Sequence, residues 1–279
     1  MTQRAIVLTG ASTGIGFATA GALARYGFAV YAGVRSNDDA QRVGALHELI
    51  QPIILDVTDG DQIAAARARV LADGLPLAGV VNNAGIAVSG PLEFLPVDYI
   101  RKQFEINTFA PMSVAQAFLE PLRAAHGRLV FVGSIAGRMS APFVGPYSAS
   151  KAALASLVDA LRMELHDSGV GVSLLEFAAV RTPIWAKGRS AKDEMLAALP
   201  PLAHERYGTV VERVVDLTRK EEATGMEPSQ IAEVILDALT AARPRERYVI
   251  GRRARFQAVA AVLPARTKDK LVRKAMGLA

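Results

Sequence analysis

The chain of 279 residues contains no cysteine. Disulfide bonds, thiolate nucleophiles and thiolate metal sites are therefore excluded, and no metal site is predicted. A chain without cysteine suits a reducing compartment, so we expect a cytoplasmic location.

Long hydrophobic runs are also missing, although hydrophobic residues make up 51% of the chain. A helix that spans a bilayer needs roughly 20 consecutive apolar residues. The longest runs, near the N-terminus and at residues 258–263, fall far short of that length, so no transmembrane helix is expected. The first residues lack the basic region, apolar core and cleavage site of a secretion signal. Residues 5–8 are instead predicted to form the first strand.

What the chain does contain is an alternation of short apolar runs and helical patterns. The predicted strands are residues 5–8, 29–32, 53–55, 79–81, 129–132, 172–176 and 248–250. Their hydrophobicity is continuous rather than confined to every other residue, which is typical of parallel strands buried on both faces. The pattern predicts an α/β fold: a doubly wound, Rossmann-type parallel sheet with helices on both faces, in a single domain.

The domain is predicted to cover residues 1–251, followed by a basic C-terminal extension at residues 252–279. Residues 181–227 are the least regular part of the pattern and come after a late strand. In a doubly wound sheet, such an insertion lies over the crevice at the carboxyl ends of the strands, where ligands bind. We therefore predict that residues 181–227 include a substrate-binding lid.

A glycine-rich segment, TGASTGIG at residues 9–16, follows directly after the first predicted strand. Gly10 can adopt the positive φ of a tight turn, Gly14 lets backbone amides approach a phosphate, and Gly16 allows the next helix to pack closely. The N-terminus of that helix favours an anion such as pyrophosphate. A plain strand-to-helix turn is the alternative. The residues predicted to bind a dinucleotide here are Gly10, Ser12, Thr13, Gly14, Ile15 and Gly16.

Further along the chain, Ser134 lies thirteen residues before Tyr147, and Lys151 follows Tyr147 by four. The pKa of a tyrosine is normally about 10, too high for acid or base catalysis at neutral pH. On a helix the Lys151 ammonium lies one turn away, so we expect it to stabilise the Tyr147 phenolate and lower that pKa. Ser134 can donate a hydrogen bond to a substrate oxygen that gains negative charge as hydride arrives. The alternative for Tyr147 and Lys151 is an unrelated pair on the surface of a helix, and the alternative for Ser134 is an ordinary loop hydroxyl.

The glycine-rich segment, NNAG at residues 82–85 and the spacing of Ser134, Tyr147 and Lys151 resemble the short-chain dehydrogenase/reductase family over residues 4–183. The segments TGASTGIG, AGVR and LDVTD resemble its branch of retinol, hydroxysteroid and hydroxybutyrate dehydrogenases. The resemblance implies a catalytic tetrad of Asn107, Ser134, Tyr147 and Lys151, the last two of which also contact the cofactor. It further implies three groups of cofactor contacts: Asp56 and Val57 at the adenine, Asn83, Ala84 and Gly85 beside the adenosine ribose, and Val180 and Thr182 at the nicotinamide carboxamide.

Asn107 lies in a segment, residues 98–122, that otherwise has a helical pattern. Pro111 has no N–H to donate to the carbonyl four residues earlier, so the Asn107 carbonyl is predicted to be free. The resemblance implies that this asparagine holds a water that links the lysine to solvent, and a free carbonyl suits that role. The alternative is a kinked helix with a capping asparagine.

One departure from the family pattern concerns the nicotinamide. Relatives usually have Pro-Gly after the sixth strand, whereas this chain has Phe177 and Ala178. Phe177 adds bulk and removes a fixed φ, and Ala178 adds a methyl group at a close approach to the ring. The change predicts altered placement of the nicotinamide. This change is an argument for the alternative function, a catalytically impaired nucleotide-binding protein with a regulatory or scaffolding role, whereas the intact tetrad argues against it.

The choice of nicotinamide cofactor depends on the end of the second strand. A carboxylate there binds the ribose 2′-hydroxyl and repels a 2′-phosphate. This chain has Arg35 instead, so NADP(H) is favoured over NAD(H). The glycine turn carries Ser12 and Thr13 where a second basic residue is common in NADP(H)-preferring relatives. The alternatives for Arg35 are a solvated strand end and stacking on adenine.

Basic charge is concentrated at the C-terminus. Residues 243–279 hold eleven Lys and Arg against two acidic residues, a balance of +9, whereas the whole chain carries +5. Such a tail can attract an anionic membrane, an acidic partner or nucleic acid. Only Tyr248 and Phe256 supply aromatic rings there, too few for base stacking, so nucleic acid is not expected. Residues 256–263 and 268–274 form either an amphipathic helix in peripheral contact with a membrane or the solvated face of a packed terminal helix.

These features together predict an NAD(P)(H)-dependent oxidoreductase that interconverts a primary or secondary alcohol and its aldehyde or ketone. The predicted substrate is a small or medium apolar molecule of steroid-like, retinoid-like or aliphatic type. The resemblance also implies a homodimer or homotetramer built on the helices that carry Asn107 and Tyr147.

Overall fold

The computed structural model describes residues 3–182 and 200–278. Seven parallel strands form one sheet in the order β3-β2-β1-β4-β5-β6-β7. The strands are β1 (Ala5–Leu8), β2 (Ala29–Val34), β3 (Ile50–Ile54), β4 (Leu77–Asn82), β5 (Arg128–Val132), β6 (Gly171–Phe177) and β7 (Arg247–Ile250). The predicted strands and the predicted doubly wound fold are confirmed, although several strand ends differ by a few residues.

Helices connect and cover the strands. They are α1 (Gly14–Tyr26), α2 (Asn37–Gly44), α3 (Gly60–Ala72), α4 (Val97–Phe104), α5 (Ala110–Ala125), α6 (Gly145–Glu164), α7 (Pro201–Thr224), α8 (Pro228–Thr240), α9 (Arg252–Ala260) and α10 (Ala265–Ala275). Within residues 3–182 and 200–278, no helix has the length and apolar content needed to cross a membrane.

Two hydrophobic cores lie on opposite faces of the sheet. On one face, Leu23 of α1, Val43 of α2 and Ile235 of α8 pack on the strands. On the other face, α3, α5 and α6 supply side chains such as Phe118 and Leu154. Because both faces are covered, the central strands are buried along their whole length, which explains their continuous hydrophobicity.

The helix predicted over residues 98–122 is divided by a π-helical turn. α4 ends at Phe104, the turn covers Glu105–Phe109, and α5 begins at Ala110. At the end of the turn, the Ala110 N–H donates to the Glu105 carbonyl, five residues back. Pro111 cannot donate in the regular pattern of an α-helix, and a wider turn accommodates this. Asn107 lies in the middle of the π-helical turn.

The two C-terminal predictions have different outcomes. Of the predicted lid at residues 181–227, residues 183–199 lie outside the described residues, and α7 forms most of the remainder. The amphipathic helix that was one alternative for residues 256–263 and 268–274 is not one continuous helix, because α9 and α10 are separate and Pro264 lies at the N-cap of α10. Proline has no N–H for the ladder of a preceding helix, so a helix does not run through this position undisturbed.

Candidate active site

The strand order reverses between β1 and β4, where the chain has moved from one half of the sheet to the other. In open α/β sheets, ligands bind in the crevice outside the carboxyl ends of the strands at such a point. The segments at residues 9–16 and 82–85 follow β1 and β4. The fold therefore brings both predicted binding segments to this crevice.

The glycine turn has no room for side chains at two of its positions. Gly10 has a φ of +67°, and a Cβ there would lie 2.8 Å from the Ala84 Cα. A Cβ on Gly16 would lie 2.1 Å from the Gly10 carbonyl oxygen. Gly14 also has a positive φ, of 56°. The positive φ predicted for Gly10 is confirmed, and the close packing predicted for Gly16 is made against the turn itself.

The N-terminus of α1 fits an anionic group. Its N-cap residue, Thr13, makes no side-chain hydrogen bond to the first turn, and that turn holds no acidic residue. The first N–H groups of a helix have no partner within the helix, and the helix dipole adds positive character there. The cradle formed by Gly10, Gly14 and Gly16 leaves backbone rather than side chains beside these groups, so the residues present fit a dinucleotide pyrophosphate.

A hydrogen-bond cluster joins the glycine turn to β4. The Thr9 hydroxyl accepts from the backbone N–H groups of Asn83 and Ala84, both at 3.0 Å. The Asn83 amide Nδ2 donates to the carbonyls of Thr9 and Gly10, also at 3.0 Å. Asn83 thus supports the turn with its side chain. Sequence reasoning missed Thr9, although a hydroxyl residue directly before Gly10 was the available signal.

Two arginines, one after β2 and one on α2, lie in the part of the chain that follows β2. Arg35 follows β2 and is exposed, and Arg42 on α2 donates from Nη2 to the Ser12 carbonyl at 2.8 Å. Arg42 also pairs with Asp39 at 2.5 Å. The turn itself lacks a second basic residue, but Arg42 brings one to it from another element. Sequence reasoning missed Arg42, because no local pattern places it beside Ser12.

Asp56 and Val57 follow β3 close to Arg35. Hydrogen bonds from the Thr58 N–H and hydroxyl, at 3.0 and 2.7 Å, hold the pKa of Asp56 below its usual value, with a smaller contribution from the charge of Arg35. Val57 is buried. The adenine contact implied for this pair stays a prediction.

Tyr147 and Lys151 both lie on α6, and Ser134 directly precedes a short 3₁₀ turn, Ile135–Gly137. The Ser134 hydroxyl accepts from the Ala136 N–H at 3.2 Å. Burial raises the pKa of Tyr147, and an interaction with the Ser134 side chain partly opposes this. The structure therefore brings the phenol and the serine hydroxyl of the predicted tetrad together.

The predicted lowering of the Tyr147 pKa is not observed, and the position of Lys151 gives the physical reason. Its ammonium donates to the Val132 carbonyl at 2.8 Å. Lys151 is only 6% exposed, and burial lowers its own pKa to about 8. In this arrangement the burial of the phenol outweighs its interaction with Ser134, so the Tyr147 pKa lies above its ordinary value.

Asn107 is fully buried and uses its side chain to hold the segment after β4. Its Oδ1 accepts from the Ile86 N–H at 2.9 Å, and its Nδ2 donates to the Ile86 carbonyl at 3.0 Å. Gln103 adds two bonds to the same segment, at the Val88 N–H and the Ile86 carbonyl. The amide of Asn107 thus positions backbone near the crevice. The water-binding role of its carbonyl stays a prediction.

Phe177 points into the core and away from open space. It is 7% exposed and belongs to the same hydrophobic cluster as Val180 and Tyr248. The following backbone is held by Met226, whose N–H donates to the Ala179 carbonyl and whose carbonyl accepts from the Arg181 N–H. Phe177 therefore acts as a core residue. Val180 and Thr182 follow on this segment, and their contact with the nicotinamide stays a prediction.

Three aromatic rings, one from α7 and two from the loops after β4 and β5, form a cluster. Tyr207 on α7 packs edge-on against Phe143 and Phe94, with ring centroids 5.8 and 6.0 Å apart. Phe143 has a φ of +69°, a rare conformation for a non-glycine residue, and it lies four residues before Tyr147. Glu93 binds the Tyr207 hydroxyl at 2.7 Å and pairs with Arg206. α7 is thus anchored across two loops at the carboxyl side of the sheet.

Comparisons with known proteins agree with this arrangement. A family model described as short chain dehydrogenase matches residues 4–193. The chain is 31% identical to an NADPH-dependent 3-dehydrocapnine reductase from Ornithobacterium rhinotracheale, over 98% of this chain and 97% of that protein. It is 32% identical to 17-beta-hydroxysteroid dehydrogenase type 1 from Homo sapiens, over 89% and 77%. A short-chain dehydrogenase structure from Streptomyces avermitilis superposes with a TM-score of 0.79 at 26% identity, covering 99% of this chain and 97% of that one.

Proposed function

The chain belongs to the short-chain dehydrogenases and is an NAD(P)-dependent oxidoreductase that acts on CH–OH groups, and from this premise we propose that it interconverts an apolar alcohol and its ketone or aldehyde with Tyr147 as the acid and base. The observation that supports this role is the proximity of the Tyr147 phenol to the Ser134 side chain, one helical turn from the buried Lys151. A nicotinamide, when bound, supplies or accepts the hydride.

In the direction of reduction, the Tyr147 O–H donates its proton to the substrate oxygen. The Ser134 hydroxyl donates a hydrogen bond to the same oxygen while negative charge develops on it. The phenolate is left on Tyr147, one helical turn from Lys151, whose ammonium donates to the Val132 carbonyl and carries its charge below a pH of about 8. The α1 N-terminus and the glycine turn would hold the pyrophosphate of the dinucleotide, and Asn107 keeps the segment after β4 in place.

Tyr147→Phe tests this assignment, because it removes the proton donor and keeps the ring. We expect turnover to fall by about 10²–10⁴-fold, with cofactor Kd changed by less than about twofold. Turnover is followed by loss of reduced-cofactor absorbance, and Kd by fluorescence titration. Tyr26→Phe, at an exposed tyrosine at the end of α1, is the control. Turnover of Tyr147→Phe within tenfold of the parent contradicts the role.

The substrate is proposed to be apolar, of steroid-like, retinoid-like or aliphatic type. The support is the ring cluster of Phe94, Phe143 and Tyr207, of which Phe143 lies four residues before Tyr147 in the chain. A panel of steroid, retinoid and aliphatic carbonyls, each with NADPH and NADH, measures this preference. Cofactor binding without reduction of any carbonyl supports the alternative of a noncatalytic nucleotide-binding protein.

NADP(H) is proposed as the preferred cofactor. Arg35 at the end of β2 and Arg42 beside Ser12 provide two cations where one was expected from the sequence. A 2′-phosphate carries close to two negative charges, and paired guanidinium groups suit it. The NADPH-dependent reductase from Ornithobacterium rhinotracheale is a relative with this preference.

Peripheral contact with an anionic membrane is proposed for the tail. On α9 and just after it, Phe256, Val259 and Val262 are 67%, 69% and 83% exposed, so they form an apolar surface without a protein partner among the described residues. Basic residues of 252–255 and of α10 flank it. Apolar side chains beside clustered basic charge are the combination that binds anionic lipid surfaces.

A further inference from the structure

A carboxylate is buried beside the candidate active site. Glu176 lies one residue before the end of β6, and its side chain is 2% exposed. Burial of a charge without partners is strongly unfavourable, so a buried carboxylate requires cations and hydrogen bonds around it. The catalytic roles proposed above do not use Glu176.

Two arginines surround this carboxylate. Arg138 binds it in a forked geometry: Nε lies 2.9 and 3.0 Å from the two oxygens, and Nη2 lies 2.5 Å from Oε2. Arg247, the first residue of β7, contacts Oε1 at 3.2 Å and extends the network to Asp159 of α6 at 2.5 Å. The hydrogen bond with Glu176 raises the pKa of Arg138, so this arginine stays charged.

Arg138 belongs to the segment that carries Ser134. It follows Ser134 by four residues and forms the C-cap of the 3₁₀ turn that Ser134 begins. The forked pair therefore attaches this turn to the end of β6. Asp159 lies two turns after Lys151 on α6, so the same network also reaches the helix of Tyr147.

A close backbone contact sets the shortest distance that is possible between the 3₁₀ turn and α6. A Cβ on Gly137 would lie 2.9 Å from the Lys151 carbonyl carbon and 3.0 Å from the Ala152 nitrogen. The turn after Ser134 thus rests directly on the backbone of Lys151. This contact prevents movement toward α6, but it does not prevent the turn from moving away.

We propose that Glu176 is a positioning residue, which holds Arg138 and thereby keeps the Ser134 turn seated against α6. The network supplies the restraint that the Gly137 contact lacks. The separation of the Ser134 hydroxyl from the Tyr147 phenol then depends on an ion pair with a buried carboxylate, and this pair touches neither group. Since a misplacement of about 1 Å can cost about a hundredfold in rate, a loosened turn lowers kcat without removing any catalytic group.

Arg138→Lys tests the proposal, because lysine keeps the charge and loses the fork. We expect kcat to fall by about tenfold to a hundredfold, with NADPH Kd changed by less than about twofold. Glu176→Asp, which shortens the carboxylate arm, is expected to act in the same direction. Arg128→Lys is the matched control: Arg128 is half-buried and forked onto the carbonyls of Ala238 and Ala241, at the amino end of β5. It is expected to lower the melting temperature without lowering kcat.

The inference rests on the proposed function, so a second readout separates the two. Hydrogen exchange of residues 134–147 reports the seating of the turn whether or not turnover is found. Faster exchange of these residues in Arg138→Lys, and not in Arg128→Lys, supports the positioning role of Glu176 and Arg138. If exchange and kcat in Arg138→Lys do not differ from those in Arg128→Lys, the positioning role is overturned and the ion pair is purely structural. A parent without turnover on any carbonyl overturns the proposed function. The exchange result then still tests whether Glu176 and Arg138 hold the Ser134 turn in place.

Discussion

The buried charge of Lys151 lowers the stability of the fold, whereas the proposed activity requires that charge. Its ammonium is buried with the Val132 carbonyl as acceptor, and its pKa falls to about 8 from the model-compound value of 10.5. Below pH 8 both folded and unfolded chains carry the proton, so the cost of burying the charge is present in full. Between pH 8 and 10.5 the unfolded chain binds more protons, so this residue makes stability rise with pH.

Lys151→Met is therefore expected to abolish turnover and to stabilise the fold at pH 7. The shift in pKa corresponds to about 3 kcal/mol, and the lost hydrogen bond to Val132 offsets about 1 kcal/mol. We expect a gain of about 2 kcal/mol in the free energy of unfolding at pH 7, which shrinks as the pH approaches 10.5. Urea unfolding at both pH values measures it. A variant less stable than the parent at pH 7 contradicts the assignment of a charged, buried lysine.

Arg35 after β2 and Arg42 on α2 give a second prediction at the residue scale. Arg35→Asp is expected to shift the preference from NADP(H) to NAD(H), because aspartate repels the 2′-phosphate and accepts from the ribose hydroxyl. Arg42→Ala is expected to lower kcat/KM for NADPH by about tenfold, which is about 1.4 kcal/mol, with little change for NADH.

Arg123→Ala is the matched control for Arg42→Ala, since Arg123 also pairs with an acidic residue three positions earlier but lies at the end of α5. Values of kcat/KM for both cofactors are compared in the parent and the three variants. A parent that already prefers NADH rules out the NADP(H) assignment. Equal effects of Arg42→Ala on both cofactors remove Arg42 from the phosphate site.

At the scale of elements, the tail is a pair of helices with different roles. α9 has Ala254 and Ala260 buried against the domain, whereas α10 buries no residue. Residues 265–279 carry five basic side chains and one acidic side chain. Electrostatic attraction to an anionic surface is screened by salt, so its contribution to the proposed membrane binding is separable from that of the apolar residues on and after α9.

Deletion of residues 265–279 is expected to weaken binding to phosphatidylserine vesicles and to reduce its salt dependence, while the melting temperature changes little. Co-sedimentation at low and high salt measures the first effect. Val262→Ser, which keeps every charge and removes an exposed apolar side chain, is expected to weaken binding at both salt concentrations. A full-length protein without salt-sensitive vesicle binding shows that the tail is only a solvated face.

At the scale of the whole molecule, helices cover both faces of the sheet, but some helices expose large apolar side chains to solvent. Phe109 in the π-helical turn, and Leu157 and Met163 on α6, are exposed large apolar side chains. They lie on the helices that were predicted to build a homodimer or homotetramer. Exposed apolar surface of this kind favours association with a second copy, and two-fold symmetry places the same residues on both sides of the interface.

Leu157→Ser is accordingly expected to convert the oligomer into monomers, as measured by light scattering after size-exclusion chromatography. Leu71→Ser on α3 is the control, because Leu71 is similarly exposed on a helix outside the proposed interface. A parent that is monomeric at micromolar concentration rules out this interface. Loss of association in both variants means that any added serine on the surface has this effect, which contradicts the proposed interface.

Much of the fold follows from the sequence alone, because it depends on short-range rules. Continuous apolar runs predicted the seven strands, and a glycine at residue 10 predicted the positive φ of the turn after β1. The spacing of Ser134, Tyr147 and Lys151 predicted the family, which the comparisons confirm. In each case, the residues that carry the signal lie within one turn, one strand or one helix.

Other features were decided by tertiary structure, because they join residues far apart in the chain. Three hydrogen-bonded pairs illustrate this. Arg138 and Glu176 are 38 residues apart in the chain, Arg42 and Ser12 are 30 apart, and Asn107 and Ile86 are 21 apart. The lowered pKa predicted for Tyr147 was wrong for the same reason. One helical turn from Tyr147 to Lys151 follows from the sequence, but burial and the position of the Val132 carbonyl depend on how α6 packs against the sheet.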